Sequence, residues 1–150
     1  MPRLPRPIVT RRHEIHLRAS GHEHVTARHA STFEVTTDET LTPAGDCILA
    51  VGADLAPADF DQAFVAACRD EGALISMTIA VDGESTTIVG RGDPALTFAS
   101  ERSAVGRTST YVDDRTIMLE ADGAARDVER SLVETLALGI DVDVHLHVER

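Results

Sequence analysis

Ile140-Asp-Val-Asp-Val-His-Leu-His-Val148 is the stretch that decides the fold: Ile140, Val142, Val144, Leu146 and Val148 share one parity, and Asp141, Asp143, His145 and His147 share the other. A period of two places one set of side chains in a core and the other in water, which is how a half-exposed antiparallel strand reads. Further back, Asp82-Gly83 carries the turn chemistry of a two-residue hairpin, and that register pairs Met77 with Ile88. Near the start, Ile15, Leu17 and Ala19 alternate with Glu14, His16 and Arg18, and beyond Gly21 the odd positions Val25, Ala27, Phe33 and Val35 are apolar. A hairpin about Gly21 is predicted, with Leu17 facing Val25, Ile15 facing Ala27, Glu14 facing Arg28 and His13 facing His29. A one-residue slip would set Leu17 against His24. Asp46-Cys-Ile-Leu-Ala-Val51 is apolar on both faces and predicts a buried central strand.

Two segments have helical spacing. Pro57 sits near the start of one, Phe60, Ala63, Phe64, Ala67 and Cys68 follow, and Gly72 ends it. Asp122 is placed to cap the second, which runs through Leu136. At an offset of 68 residues the two repeat each other: Ala53-Asp54 matches Ala121-Asp122, Phe60 matches Val128, Phe64 matches Leu132, Val65 matches Val133 and Cys68 matches Leu136. The reading is one α+β domain over residues 13–150, mainly antiparallel β, barrel- or sandwich-like, with two helices. A flexible basic arm over residues 1–12 precedes it. The repeat predicts an internal duplication of a strand-rich unit, each copy ending in a strand and a helix, related by a pseudo-twofold axis.

Composition bounds the function. A chain of 150 residues with 43% hydrophobic content makes one domain with a core. No apolar run approaches the roughly 18 residues of a membrane span, and the N-terminus lacks an apolar signal segment, so a cytoplasmic location and no membrane partner are expected. Twenty-five acids face 14 bases, every base is arginine, and the net charge is −11. An acidic surface without lysine is what selection for solubility in concentrated salt leaves, so a halophilic source is expected. Residues 1–28 run against this, with six arginines and two acids. A basic arm on an acidic body is able to touch an anion or an RNA, although molar salt weakens such contacts. Absence of lysine removes Schiff-base chemistry and the P-loop lysine, and Gly90-Arg-Gly-Asp-Pro94 lacks the Lys-Ser/Thr and the following helix of a phosphate loop. With no tryptophan and Tyr111 alone, platforms for stacking bases are few. Cys47 and Cys68 form no Cys-x-x-Cys pair and read as small buried hydrophobes.

Five of the seven histidines lie between His13 and His29. In the expected hairpin His22, His24, Thr26 and Arg28 take the polar face, with Thr32, Glu34 and Thr36 further along it if the strand continues unbulged, and His29 takes the apolar one, so His22 and His29 diverge and cannot both be ligands without a bulge. Asp143-x-His145-x-His147 puts three donors on one strand face about 7 Å apart, too far to converge without help from a neighbouring strand. Glu34 and Asp46 are the carboxylates best placed for acid/base work, Asp46 standing beside Cys47. Against that, Pro43-Ala-Gly-Asp46 has turn chemistry throughout.

Gly21-His-Glu-His-Val-Thr-Ala-Arg-His29, Ser31-Thr-Phe-Glu-Val-Thr36, Leu41-Thr-Pro-Ala-Gly-Asp-Cys-Ile48 and Ala53-Asp54 resemble an archaeal family catalogued as domain of unknown function 371. Gly92-Asp-Pro-Ala-Leu-Thr97 and the stretch from Arg115-Thr to Ala121-Asp122 resemble its second half, so the resemblance covers about residues 13–148. It implies an archaeal cytoplasmic protein and points to His22, His29, Thr32, Glu34, Asp46 and Cys47; it implies no reaction and no cofactor. His24 stands where the motif carries an Asn-like residue. The leading expectation is a small binding module for a polar ligand, such as a nucleotide or a metal-linked anion, where the His22–Glu34 strand meets the turn at Asp46. The rivals are a metal-assisted hydrolase using His22 or His29 with Glu34 and Asp46, and an RNA-associated accessory protein docking its arginine arm.

Overall fold

In the computed structural model, which describes residues 12–150, the C-terminal alternation becomes β8 (Asp141–Glu149), with Val142, Val144, Leu146 and Val148 at most 2% exposed. The expected arm, apart from Arg12, lies outside the described residues. Burying such side chains stabilises by about 1.5–3 kcal/mol each, which is why one face of a strand otherwise made of Asp and His suffices to hold it. β8 is central in a sheet with β1 (Arg12–Ser20), β4 (Leu74–Val81) and β5 (Glu84–Arg91); the order is β1-β8-β4-β5, antiparallel throughout. The second sheet comprises β2 (Thr32–Thr36), β3 (Ile48–Ala50), β6 (Ser103–Arg107) and β7 (Thr116–Met118), ordered β3-β2-β6-β7, with β2 and β6 antiparallel and the outer pairs parallel. Leu17, Ile75, Met77 and Leu146 from one sheet and Phe33, Leu49, Ile117 and Met118 from the other are buried in a shared core. Single bridges, Ser20 with Val51 and Arg91 with Leu119, pin the two sheets together along both edges. The result is an α+β sandwich with α1 (Gln62–Cys68) and α2 (Arg130–Leu136) packed on its strands.

The duplication is present. β1-β2-β3-α1-β4 recurs as β5-β6-β7-α2-β8, and each sheet order reads the same from either end once the halves are exchanged. The equivalences reach single hydrogen bonds. Asp54 Oδ1 accepts from Arg18 N at 2.9 Å, and Asp122 Oδ1 accepts from Val89 N at 2.9 Å. Asp59 Oδ2 closes a 3-10 turn from Ala56 N at 2.9 Å, and Asp127 Oδ2 does so from Ala124 N at 2.8 Å. His22 N donates to Leu136 O at 3.0 Å, and Asp93 N to Cys68 O at 3.1 Å, each a C-terminal helix carbonyl of the opposite half. Preceding those donors, Gly21 and Gly92 come so close to the same carbonyls that a Cβ at either would overlap Leu136 O or Cys68 O. Gly92 is thus required for close backbone approach, which accounts for its place in a stretch that superficially resembles a phosphate loop.

Several expectations are corrected. The hairpin at Asp82-Gly83 forms with Met77 opposite Ile88, but the hairpin at Gly21 does not. β1 pairs instead with β8, Leu17 facing Val144 and Ile15 facing Leu146, while residues 21–31 run without strand structure. Alternation determines which face a side chain takes, not which strand it meets, and left-handed Ala27 (φ 48°) ends any continuous extension. β3 is an edge strand of its sheet, apolar on both faces because it lies at the corner where Val51 bridges to β1. Each predicted helix divides into a 3-10 turn (Pro57–Asp59, Ala125–Asp127) and a seven-residue helix. Asp122 does not cap α2; it holds the β5 edge through Val89. Each repeat closes on a strand after its helix rather than on the helix.

Candidate functional site

Along β2, Phe33 and Val35 enter the core, so Thr32 and Glu34 point to the opposite face, where both are half-buried. Glu34 N donates to Cys47 O at 2.9 Å, which sets the residue before β3 alongside, and the Cys47 thiol donates to Glu34 Oε1 at 3.5 Å. The loop entering β2 is fixed by His29. Its Nδ1 accepts from Ser31 N at 3.3 Å and Thr32 N at 3.1 Å and lies 2.9 Å from the Thr32 hydroxyl. Two backbone donors on Nδ1 place the ring proton on Nε2. Asp46 joins through its carbonyl, which accepts from Arg28 N at 3.0 Å and His29 N at 3.2 Å. Five of the six expected positions, His29, Thr32, Glu34, Asp46 and Cys47, are therefore tied into one patch.

His22 is not. It bonds to the end of α2, its Nδ1 accepts from His24 N at 3.0 Å, and it shares no partner with the other five. The expected juxtaposition of His22 with Glu34 is corrected: residues 21–31 turn away from the strand. The twofold relation explains both histidines structurally. Asp93, the counterpart of His22, accepts from Ala95 N at 2.8 Å; Ser100, the counterpart of His29, accepts from Arg102 N at 3.2 Å and Ser103 N at 3.0 Å. Asp and Ser perform the same backbone capping in the second half, so neither imidazole is needed for acid–base chemistry to account for its position.

The other side of the patch comes from residues that sequence reasoning passed over. Buried Arg107 on β6 donates from Nε to the Thr116 hydroxyl at 2.8 Å and from its NH2 group to Asp113 Oδ2 at 3.0 Å, and its guanidinium lies 4.7 Å from the centre of the Tyr111 ring. Arg115 donates to the same Asp113 oxygen at 2.8 Å. Arg115 is the twofold counterpart of Cys47; its hydrogen bond to Asp113 raises its pKa, and the negative field of Glu34 adds a smaller push in the same direction. Arg102, bound to Asp38, feels Glu34 in the same sense. The 68-residue offset, carried back ahead of the helices and past β3 and β7, was the signal that would have matched Arg115 to Cys47.

The electrostatics decide what this patch does chemically. Burial pushes the Cys47 thiol up to about 11, and the neighbouring Glu34 charge adds to it. Cys47 is therefore a neutral hydrogen-bond donor at physiological pH and not a nucleophile. Cys68 is raised by burial alone. Among the described residues Glu34 has a weak thiol donor on one oxygen and no other side-chain hydrogen bond, which leaves it an acceptor with open lone pairs. The arrangement expected of a metal-assisted hydrolase is not assembled: His22 is elsewhere, His29 uses Nδ1 for its own loop, and Asp46 contributes a carbonyl. A cavity of about 570 Å3 opens on the other sheet, lined by Arg18, Ser20, Asp54, Asp141 and Asp143 among others, and none of the six expected residues lines it. No helix among the described residues is long and apolar enough to cross a membrane.

A family model described as a domain of unknown function, DUF371, matches residues 17–149 and so includes all six positions. An uncharacterised protein of Methanocaldococcus jannaschii is 36% identical over 126 residues, which cover 84% of this chain and 93% of that protein. With nearly the whole chain matched by the family model and by an archaeal relative, the protein is an archaeal member of the DUF371 family.

Proposed function

We propose that the protein is a small binding module whose polar ligand docks on the outer face of the second sheet, over Glu34. The observation that carries this reading is the half-buried Glu34 carboxylate, which has the Cys47 thiol at 3.5 Å as its side-chain donor among the described residues. A half-buried carboxylate with unfilled acceptor sites gains most from a ligand that brings hydroxyl or amine donors. Thr32 and the Nε2–H of His29 extend the polar contacts, and Arg115 offers a cationic rim. Amide chemical shifts of labelled protein, titrated with panels of nucleosides, amino acids and sugars, test the reading. Saturable shifts at Thr32, Glu34, Cys47 and Arg115 that vanish in Glu34→Gln are expected; saturable shifts that map elsewhere, or that ignore Glu34→Gln, would sink it.

The setting belongs to the same proposal. A net charge of −11 with arginine as its only base fits the cytoplasm of a salt-accumulating archaeon. The melting temperature should climb steadily as KCl is raised to molar levels, and a protein indifferent to salt would argue against it.

A further inference from the structure

The spacing of Asp143, His145 and His147 along one strand lacks a converging neighbour, and β1 supplies one. In the β1–β8 register Glu14 lies opposite His147, His16 opposite His145 and Arg18 opposite Asp143, with all these side chains on the face turned away from the core. Diagonal contacts link them. His16 Nε2 is 3.2 Å from Asp143 Oδ1, His145 Nε2 is 3.6 Å from Glu14 Oε2, and the two rings stand edge to face with centroids 6.5 Å apart. We propose that this patch binds a borderline divalent transition ion of the Zn2+ type through His16, Asp143 and His145, at the rim of the 570 Å3 cavity that Asp143 also lines.

Two donors bound at about 2.1 Å to one tetrahedral or octahedral ion lie roughly 3.0–3.4 Å apart, and the His16–Asp143 pair already has that bite. Two imidazoles on a tetrahedral ion bring their centroids to about 5 Å, so the His145 ring has a little over an ångström to close. The His16 and His145 side chains are 57% and 44% exposed and free to turn. Among the described residues no three ligating groups are yet gathered on one point. His16 instead hydrogen-bonds Asp143, and His145 lies within ion-pair distance of Glu14; an ion would take the place of both interactions. Arg18 opposes a cation here, while Glu14 and Asp141 favour it; on the other flank β4 presents the neutral Thr78 and Ser76 opposite His145 and His147. The cavity leaves space for water on the remaining coordination positions. This site shares no residue with the Glu34 patch, so either proposal stands or falls alone.

The test is calorimetric titration of the full chain with Zn2+ alone. One ion per chain is expected, at least tenfold weaker binding in His16→Ala and in His145→Ala, and weaker binding in Asp143→Asn. These side chains are exposed, and circular dichroism checks that the variants fold. In the wild type the ring signals of His16 and His145 should shift together on adding Zn2+. Absence of binding below millimolar Zn2+ would overturn the proposal, as would affinity unchanged in both histidine variants. Loss confined to His24→Ala would also overturn it by moving the site to the His22–His24 pair, whose rings are 5.2 Å apart.

Discussion

Asp113 shows how a single side chain is set by its neighbours. Burial pushes its carboxyl up, but hydrogen bonds from the Arg115 side chain and backbone and the fields of Arg107 and Arg115 outweigh that and hold it at about 2. A carboxyl depressed on folding adds stability that is complete above its unfolded pKa near 4 and is lost as the pH falls towards 2. With the side chain 26% exposed, the contribution is discounted to about 1–2 kcal/mol. Asp113→Asn should be less stable by that amount at pH 7, and the gap should narrow below about pH 4 and close only at about pH 2. Denaturant unfolding across this range checks it, and a gap that did not change with pH would mean that the charge of Asp113 is not what matters. At this scale the sequence was informative about direction: the parity of β2 turned Thr32 and Glu34 outward and Phe33 and Val35 inward, but Thr36, expected on the polar face with them, is buried against Ser103. It was silent about partners, since the Cys47 thiol, 13 positions away, meets Glu34 only after folding, and the fields of Arg102 and Arg115 reach it only then.

At the scale of elements, the helix ends organise the joints between halves. Each seven-residue helix is too short to be stable alone, so its last carbonyls depend on groups from elsewhere. Asp93 N, on the segment after β5, reaches Cys68 O at the end of α1, and Gly92 permits that approach. Gly92→Ala should therefore destabilise by about 2–3 kcal/mol, because the atoms in the way are backbone and cannot rotate aside. Gly123→Ala, where the added methyl meets Asp127 Cβ at 3.6 Å, should change stability by less than about 0.5 kcal/mol. Equal thermal shifts in the two variants would show that the approach at Gly92 is not tight in solution. Asp54 and Asp122 make the complementary lesson. Their match at offset 68 was visible in the sequence, but their role as edge clamps for β1 and β5 was not, because an Asp before a helix has the composition of a cap.

For the whole molecule, the sheet orders carry a strong consequence. Every hydrogen-bonded neighbour in the first sheet joins strands of opposite halves: β1 to β8, β8 to β4 and β4 to β5. Neither fragment 12–82 nor fragment 83–150 should fold alone, whereas an equimolar mixture should recover the strand signal, and the intact chain should unfold in one transition. A folded fragment would show that each repeat is autonomous. The alternation of residues 141–148 (Ile140 lies outside the strand and is exposed), the hairpin at Asp82-Gly83, the two amphipathic segments and the repeat that relates them were all determined by the sequence itself, because periodicity and turn chemistry are local properties of the chain. The partner of β1, the corner position of β3, the dispersal of the histidines and the contact of Cys47 with Glu34 were decided only by the tertiary structure. Each depends on contacts between distant segments, whose free energy is set by how two faces and their hydrogen-bonding edges fit together and leaves no mark in the spacing of either segment.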